Sequence, residues 1–175
     1  MYGMKGNKGS NESLTKEGES MMATLDHAPV VKADMLIHSP VEEVFEAFIN
    51  PEITTKFWFT KSSGRLEEGK RVRWEWEMYG VSDDIYVKEI KRNKLIRIES
   101  SDSTITEWEF TPRTENKTFV SIIHSGFTGN GDDMVNYAIG SMGGYTMVLC
   151  ALKALLEHGI VLTVVADKAP DNHVR

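Results

Sequence analysis

Aromatic and thioether side chains recur at positions that can face one another across strands and a helix, and concavities lined by such groups take apolar ligands. On strands they are Trp74, Trp76, Trp108 and Phe110; on a later helix they are Met134, Met142 and Tyr145. Tyr137, Ser141, Tyr145 and Tyr86 supply hydroxyls that could orient a ligand's polar end, and none has a neighbour in sequence that would activate it. The competing reading is a solid core, because a curved sheet under a helix needs bulky side chains in any case. Other chemistry is weaker. The five histidines, His27, His38, His124, His158 and His173, show no ligand spacing, so no metal is expected. Glu75, Glu77, Glu107 and Glu109 alternate with tryptophans and should face water instead of forming an acid–base pair. Ser125 lacks His and Asp companions, and Gly126-Phe127-Thr128-Gly129-Asn130-Gly131 lacks the Gly-Lys-Ser/Thr ending of a phosphate loop. No catalytic constellation and no cofactor emerge, so the residues lean away from an enzyme.

The element that must position these groups is one long amphipathic helix over residues 132–158. Its apolar stripe runs through Met134, Ala138, Ser141/Met142, Tyr145, Val148/Leu149, Leu152 and Leu155/Leu156. Asp132 and Asp133 suit its positive end and Gly159 its stop; about 25 residues at ~1.5 Å each span roughly 38 Å. Gly140, Gly143 and Gly144 interrupt it, each at a cost of about 1 kcal/mol against alanine. Either a strand or loop packs closely there, or room is left for a ligand. Cys150, the single cysteine, reads as an inert hydrophobe on this helix.

Ahead of the helix, 30–38 suits a first strand, and Ser39-Pro40 opens a helix with Val41, Val44, Phe45 and Phe48 on its apolar face. Asn50-Pro51 ends it, and 52–57 suits a second short helix. Strands follow over 58–66, 70–78, 82–90, 95–99, 104–110 and 117–124, joined by turns short enough for an antiparallel meander. Residues 160–165 are apolar and β-branched and suit an extended segment. Helices grouped outside a run of strands make the class α+β.

The chain has 175 residues, 41% of them hydrophobic and 26% charged, as expected of a globular protein. A net charge of −6 and no basic–aromatic patch exclude nucleic acid as an expected partner and disfavour anionic membranes. No segment has 18 consecutive apolar residues, so no membrane insertion is expected, and a lone cysteine fits a reducing cytoplasm. The division expected is a flexible leader over 1–27, one domain over 28–167 and a polar tail over 168–175.

Ile37-His38-Ser39-Pro40-Val41-Glu42-Glu43-Val44-Phe45-Glu46-Ala47-Phe48, then Asn50-Pro51-Glu52 and Trp58, resemble the opening of a family within the START and birch-pollen-allergen (SRPBCC) superfamily. That family is homologous to the C-terminal domain of the 90-kDa heat-shock chaperone's ATPase activator. His124-Ser125-Gly126-Phe127, Gly143-Gly144-Tyr145 and Leu152-Lys153-Ala154-Leu155-Leu156-Glu157 resemble its closing motifs, although Tyr145 stands where many members carry tryptophan. The resemblance implies a helix-grip fold: a curved antiparallel sheet wrapped around a long C-terminal helix, with a cavity between them. Through it the expected function is binding or carriage of a small hydrophobic or amphipathic molecule, a lipid or an aromatic polyketide-like compound. A cyclase or hydratase using the same cavity and a chaperone cofactor acting by protein contact are the alternatives.

Overall fold

A computed structural model describes residues 24–174. Of the expected leader, residues 1–23 lie outside the described residues, and 24–28 are exposed. The elements are β1 (Val31–Ile37), α1 (Val41–Ile49), α2 (Pro51–Thr54), β2 (Lys61–Ser62), β3 (Arg71–Trp76), β4 (Val81–Lys91), β5 (Leu95–Glu99), β6 (Ile105–Thr114), β7 (Lys117–Ser125), α3 (Gly131–His158) and α4 (Val164–Asp167). The strands form one antiparallel sheet in the order β1-β7-β6-β5-β4-β3-β2. This is the helix-grip α+β arrangement, with α3 held against the sheet.

Strand alternation decides what lies under the helix. Val72 and Trp74 on β3, Ile85 and Val87 on β4, Ile96 and Ile98 on β5, Thr106, Trp108 and Phe110 on β6, and Val120, Ile122 and His124 on β7 are all buried. Their alternates carry charge on the convex face, where Arg97 pairs with both Glu89 and Glu107, and Glu75 lies within ion-pair reach of Lys61 and Arg73. Glu107 and Glu75 are thus committed to convex-face ion pairs.

The expected strand over 58–66 shrinks to Lys61–Ser62, and the one over 70–78 stops at Trp76. Residues 77–79 instead make a single tight helical turn closed by Gly80 at φ +61°, a left-handed conformation that glycine adopts without steric cost. The run 160–165 is not a strand either. It pairs with no described strand and packs through its side chains, Leu162 ahead of α4 and Val164 at its first position both lying against the core. The polar residues beyond 167 fold back, and Val174 N–H donates to the Met78 carbonyl at 2.9 Å.

Both ends of α3 are chemically marked. Asn130 caps the start, its side chain accepting from Asp133 N–H at 2.9 Å while donating to the Asp133 carboxylate at 2.7 Å. Near the other end, Lys153 donates to the Leu36 carbonyl at 2.8 Å and pairs with Glu157, which accepts from His38 N–H at 2.7 Å. These bonds tie the last turns to β1. Between them Val148, Leu149, Ala151 and Leu152 are buried. Cys150, on the opposite side, is exposed and is not the buried hydrophobe expected, because it falls outside the helix's buried arc.

Leu152 is 0% exposed, so Leu152→Ala should cost roughly 2–5 kcal/mol through lost burial and the cavity left behind. Urea denaturation monitored by circular dichroism measures it, and a loss under about 0.5 kcal/mol would contradict this packing.

Candidate functional site

Only the second half of α3 lies on the sheet. Its first half stands off, and a cavity of about 770 Å³ opens beneath it. Trp58, Trp74, Trp76 and Ile98 line the sheet side, Tyr137, Gly140, Ser141, Gly144, Tyr145 and Val148 the helix side. The third wall is the folded-back C-terminal segment, through Val165, Lys168, Ala169 and Asn172. The Tyr79 hydroxyl holds that segment, 2.6 Å from the Val165 carbonyl and 2.9 Å from the Ala166 carbonyl. His173 Nε2 lies 2.8 Å from the same Ala166 oxygen.

Of the expected ligand-facing residues, Trp74, Trp76, Tyr137, Ser141 and Tyr145 come together around this space. Trp108 lies beneath Trp58, ring centroids 5.9 Å apart, and is part of the floor's support and not of its surface. Phe110 packs on Phe45 and Phe48 at 5.3 and 5.7 Å, which places it in the core under α1. Met142 is exposed because it points to the outer side of α3, and Met134 is half-buried in the helix's first turn, away from the lining. Tyr86 sits on the convex side of β4 beneath the Arg71 guanidinium, 5.5 Å from its ring centre, because Ile85 and Val87 take the inward positions. The helical glycines have open space at two of the three positions: a Cβ on Gly140 or Gly144 would meet nothing within 4 Å, and one on Gly143 only the Lys168 ammonium at 3.6 Å. Close packing does not explain them; unfilled space does.

Two contributors escape a sequence reading. Trp58 follows α2 and stands at the centre of the aromatic wall, 4.9 Å from Trp74 and 6.0 Å from Tyr145. His124 is the other. On β7 the inward alternation Val120, Ile122, His124 carries the signal, since it puts an imidazole where aliphatic groups precede it.

Three polar pairs join the standing-off half of α3 to the sheet. Tyr137 donates to Asp102 at 2.6 Å, Ser141 Oγ lies 2.6 Å from His124 Nδ1, and the Tyr145 hydroxyl lies 2.9 Å from Thr106 Oγ1. The helix partners are spaced by four, so they share one face. On the sheet, Thr106 and His124 are directly opposite in the β6–β7 ladder. Burial lowers the His124 pKa below its usual 6.5 against the opposing pull of the Asp102 carboxylate, and the ring is neutral at pH 7. Burial raises Tyr145 well above the ordinary phenol range, and burial together with the Asp102 bond pushes Tyr137 up to about 12. Burial alone would raise Asp102, but bonds from Thr104 and Tyr137 outweigh it and lower its pKa.

Comparison with known proteins follows the same outline. The sequence profile of the family described as "Activator of Hsp90 ATPase homolog 1-like protein" matches residues 38–157. The protein SSP2350 from Staphylococcus saprophyticus is 30% identical, with a TM-score of 0.67 over 77% of this chain and 96% of that one. The Aha1 dimer from Colwellia psychrerythraea is 20% identical, with a TM-score of 0.65 over 75% of this chain and 98% of that one. DynU16, described as a putative protein in the dynemicin biosynthetic locus, is 18% identical, with a TM-score of 0.61 over 75% of this chain and 48% of that one. These last two likenesses carry the fold alone. Among curated proteins none matches the sequence.

Because a Cβ meets nothing at Gly140 or Gly144, Gly140→Ala and Gly144→Ala should each stabilise α3 by about 0.5–1 kcal/mol, read as a higher urea midpoint. A destabilisation would show that space there is not free. The His124 shift gives a pH dependence. A histidine whose folded pKa lies below its unfolded value binds fewer protons folded, so stability is full above about pH 6.5 and declines as pH falls below it. Thermal melts from pH 7.5 to pH 5.5 should therefore fall more steeply for the native chain than for His124→Gln; equal slopes would contradict the burial of this ring.

Proposed function

The chain belongs to the Activator of Hsp90 ATPase homolog 1-like family, and from that premise we propose that its cavity binds and carries a small hydrophobic or amphipathic molecule. The observation behind the reading is the conjunction of open space with glycine. Two helical glycines border about 770 Å³ of space walled by Trp58, Trp74, Trp76 and Tyr145, whereas a solid core would have filled it with side chains. The volume falls in the range of sites for drug-sized ligands, mostly apolar with a few polar groups to fix orientation. A fused aromatic ring system or a folded acyl chain fits such walls. The lone thiol, Cys150, is exposed and suits a reducing cytoplasm.

A reaction of the cyclase or hydratase kind in the same cavity is a second reading, and one observation favours it. His124 is a neutral, desolvated imidazole beside two tyrosines, which is the kind of titratable group such chemistry employs. Chromatography with mass spectrometry of a compound incubated with the purified protein and re-extracted separates the two: a carrier returns it unchanged, whereas a hydratase returns it with the elements of water added or lost and a cyclase returns a dehydrated product or an isomer of different retention.

Binding itself is tested with N-phenylnaphthylamine, an uncharged fluorophore that brightens in apolar surroundings. The native chain should give saturable enhancement with quenching of tryptophan emission. Gly144→Leu, which puts an isobutyl group into the open space, should abolish both without lowering the melting temperature. Absence of saturable binding by the native chain, or equal binding by Gly144→Leu, would overturn the reading.

A further inference from the structure

The imidazole and hydroxyls at the cavity's polar end have hydrogen atoms that no described group accepts. Ser141 Oγ makes one hydrogen bond among the described residues, to His124 Nδ1 at 2.6 Å. In the tautomer where the Ser141 hydroxyl donates to Nδ1, the ring proton of the neutral imidazole sits on Nε2. His124 is 5% exposed, it lines the cavity, and its Nε2 has no described partner. Nor is Nε2 among the fully enclosed unpaired atoms, a condition met among the described residues only by Trp108 Nε1. An N–H that is neither paired nor sealed in faces the space its ring lines. Thr106 and Tyr145 add to the surplus: between two hydroxyls bonded only to each other, one hydrogen is used and one remains. Asp102 already accepts from Thr104 N–H, the Thr104 hydroxyl and Tyr137.

The charges around this end decide what kind of acceptor it receives. Asp83 lines the cavity and Asp102 stands behind Tyr137, so an anion deep in the site would meet two carboxylates and a histidine that stays neutral. The cation in the lining, Lys168, is exposed on the C-terminal segment at the mouth. A neutral acceptor carries no such penalty. Resting on the carrier reading above, we propose that His124, through Nε2–H, holds the carbonyl oxygen of an uncharged aromatic ketone, quinone or ester whose rings lie against Trp58, Trp74 and Trp76. Ser141 is then a positioning residue, since it fixes the tautomer that donates.

The test uses three probes of nearly equal ring size: acetonaphthone, ethylnaphthalene and naphthoate, each titrated by tryptophan quenching. The native chain should bind the ketone more tightly than the hydrocarbon by roughly two- to tenfold, the worth of one neutral hydrogen bond. His124→Phe should erase that preference while still binding both, and His124→Gln, whose amide nitrogen reaches near the Nε2 position, should restore it. A preference unchanged in His124→Phe overturns the proposal, as does tightest binding of naphthoate, which would assign recognition to Lys168. Binding of ethylnaphthalene equal to that of acetonaphthone by the native chain overturns it too, while leaving the carrier reading intact. Failure of all three to bind overturns both. Should His124→Phe not fold, infrared spectroscopy of isotopically labelled acetonaphthone on the native chain decides: the carbonyl stretch should lie below its value in a hydrocarbon solvent, and an unshifted band refutes the bond.

Discussion

A straight helix cannot follow a coiled sheet along its whole length, and the protein is built around where α3 touches and where it does not. Its second half touches, burying Val148, Leu149, Ala151 and Leu152 and tying Lys153 and Glu157 to β1 and to the residue that follows it. At about 1.5–3 kcal/mol for each fully buried large aliphatic side chain, that half anchors the helix. The first half is attached by three polar pairs, worth about 0.5–1.5 kcal/mol each once exchange with water is counted, and by the ring contacts of Tyr137 and Tyr145 with Phe127, His124 and Trp58. The second half of the helix is therefore the more firmly held. By this inequality the 131–145 end has least to lose by detaching, and it is also the cover of the cavity.

The aromatic wall depends on the opposite side of the molecule. Phe48 on α1 meets Phe57, Trp108 and Phe110 at 5.6, 6.0 and 5.7 Å, and Trp108 in turn supports Trp58. Phe59 stacks on Trp74 at 4.6 Å with planes 21° apart, fixing the tryptophan's orientation from outside the site. The cavity-facing rings are thus the top of a packed column that reaches down to α1, which fixes their positions. One cost is visible in that column. Trp108 Nε1 is fully buried without a partner, a penalty of about 1–3 kcal/mol that a phenylalanine would avoid, so ring size outweighs the lost hydrogen bond there.

Periodicity made the architecture legible: period two placed Trp74, Trp108 and Phe110 inward, and the three-and-four spacing gave α3 to within one residue at its start. It could not separate inward into cavity and core. Trp108 and Phe110 alternate in step with one another, yet only contact with Phe45, Phe48 and Trp58 decides that both lie below the floor. For Met134 and Met142 the stripe was drawn slightly off phase. The face that looks into the cavity runs through Tyr137, Gly140, Ser141, Gly144, Tyr145 and Val148. His124 was unreadable as a site residue for a different reason. The β7 alternation turns it inward, but its partner Ser141 is 17 positions away and its aromatic neighbours Phe127, Tyr137 and Tyr145 come from a loop and a helix, so nothing nearby in sequence shows what it meets. The C-terminal wall was hidden because 164–174 lacks periodicity and is held by backbone carbonyls, which any sequence supplies.

The glycines give the strongest physical argument that the space is kept open. A chain under pressure only to fold would replace Gly140 and Gly144, because alanine fits both sites, strengthens the helix by about 1 kcal/mol each and buries more apolar surface. Larger residues would do better still by filling the void. What those substitutions would remove is depth beside Tyr145 and Ser141, the two helix residues whose hydroxyls meet Thr106 and His124. The same positions that weaken the cover thus leave the polar end of the cavity open. Stability is given up at the residues where an occupant would touch both the tryptophan wall and the imidazole, and a solid core offers no return for that loss.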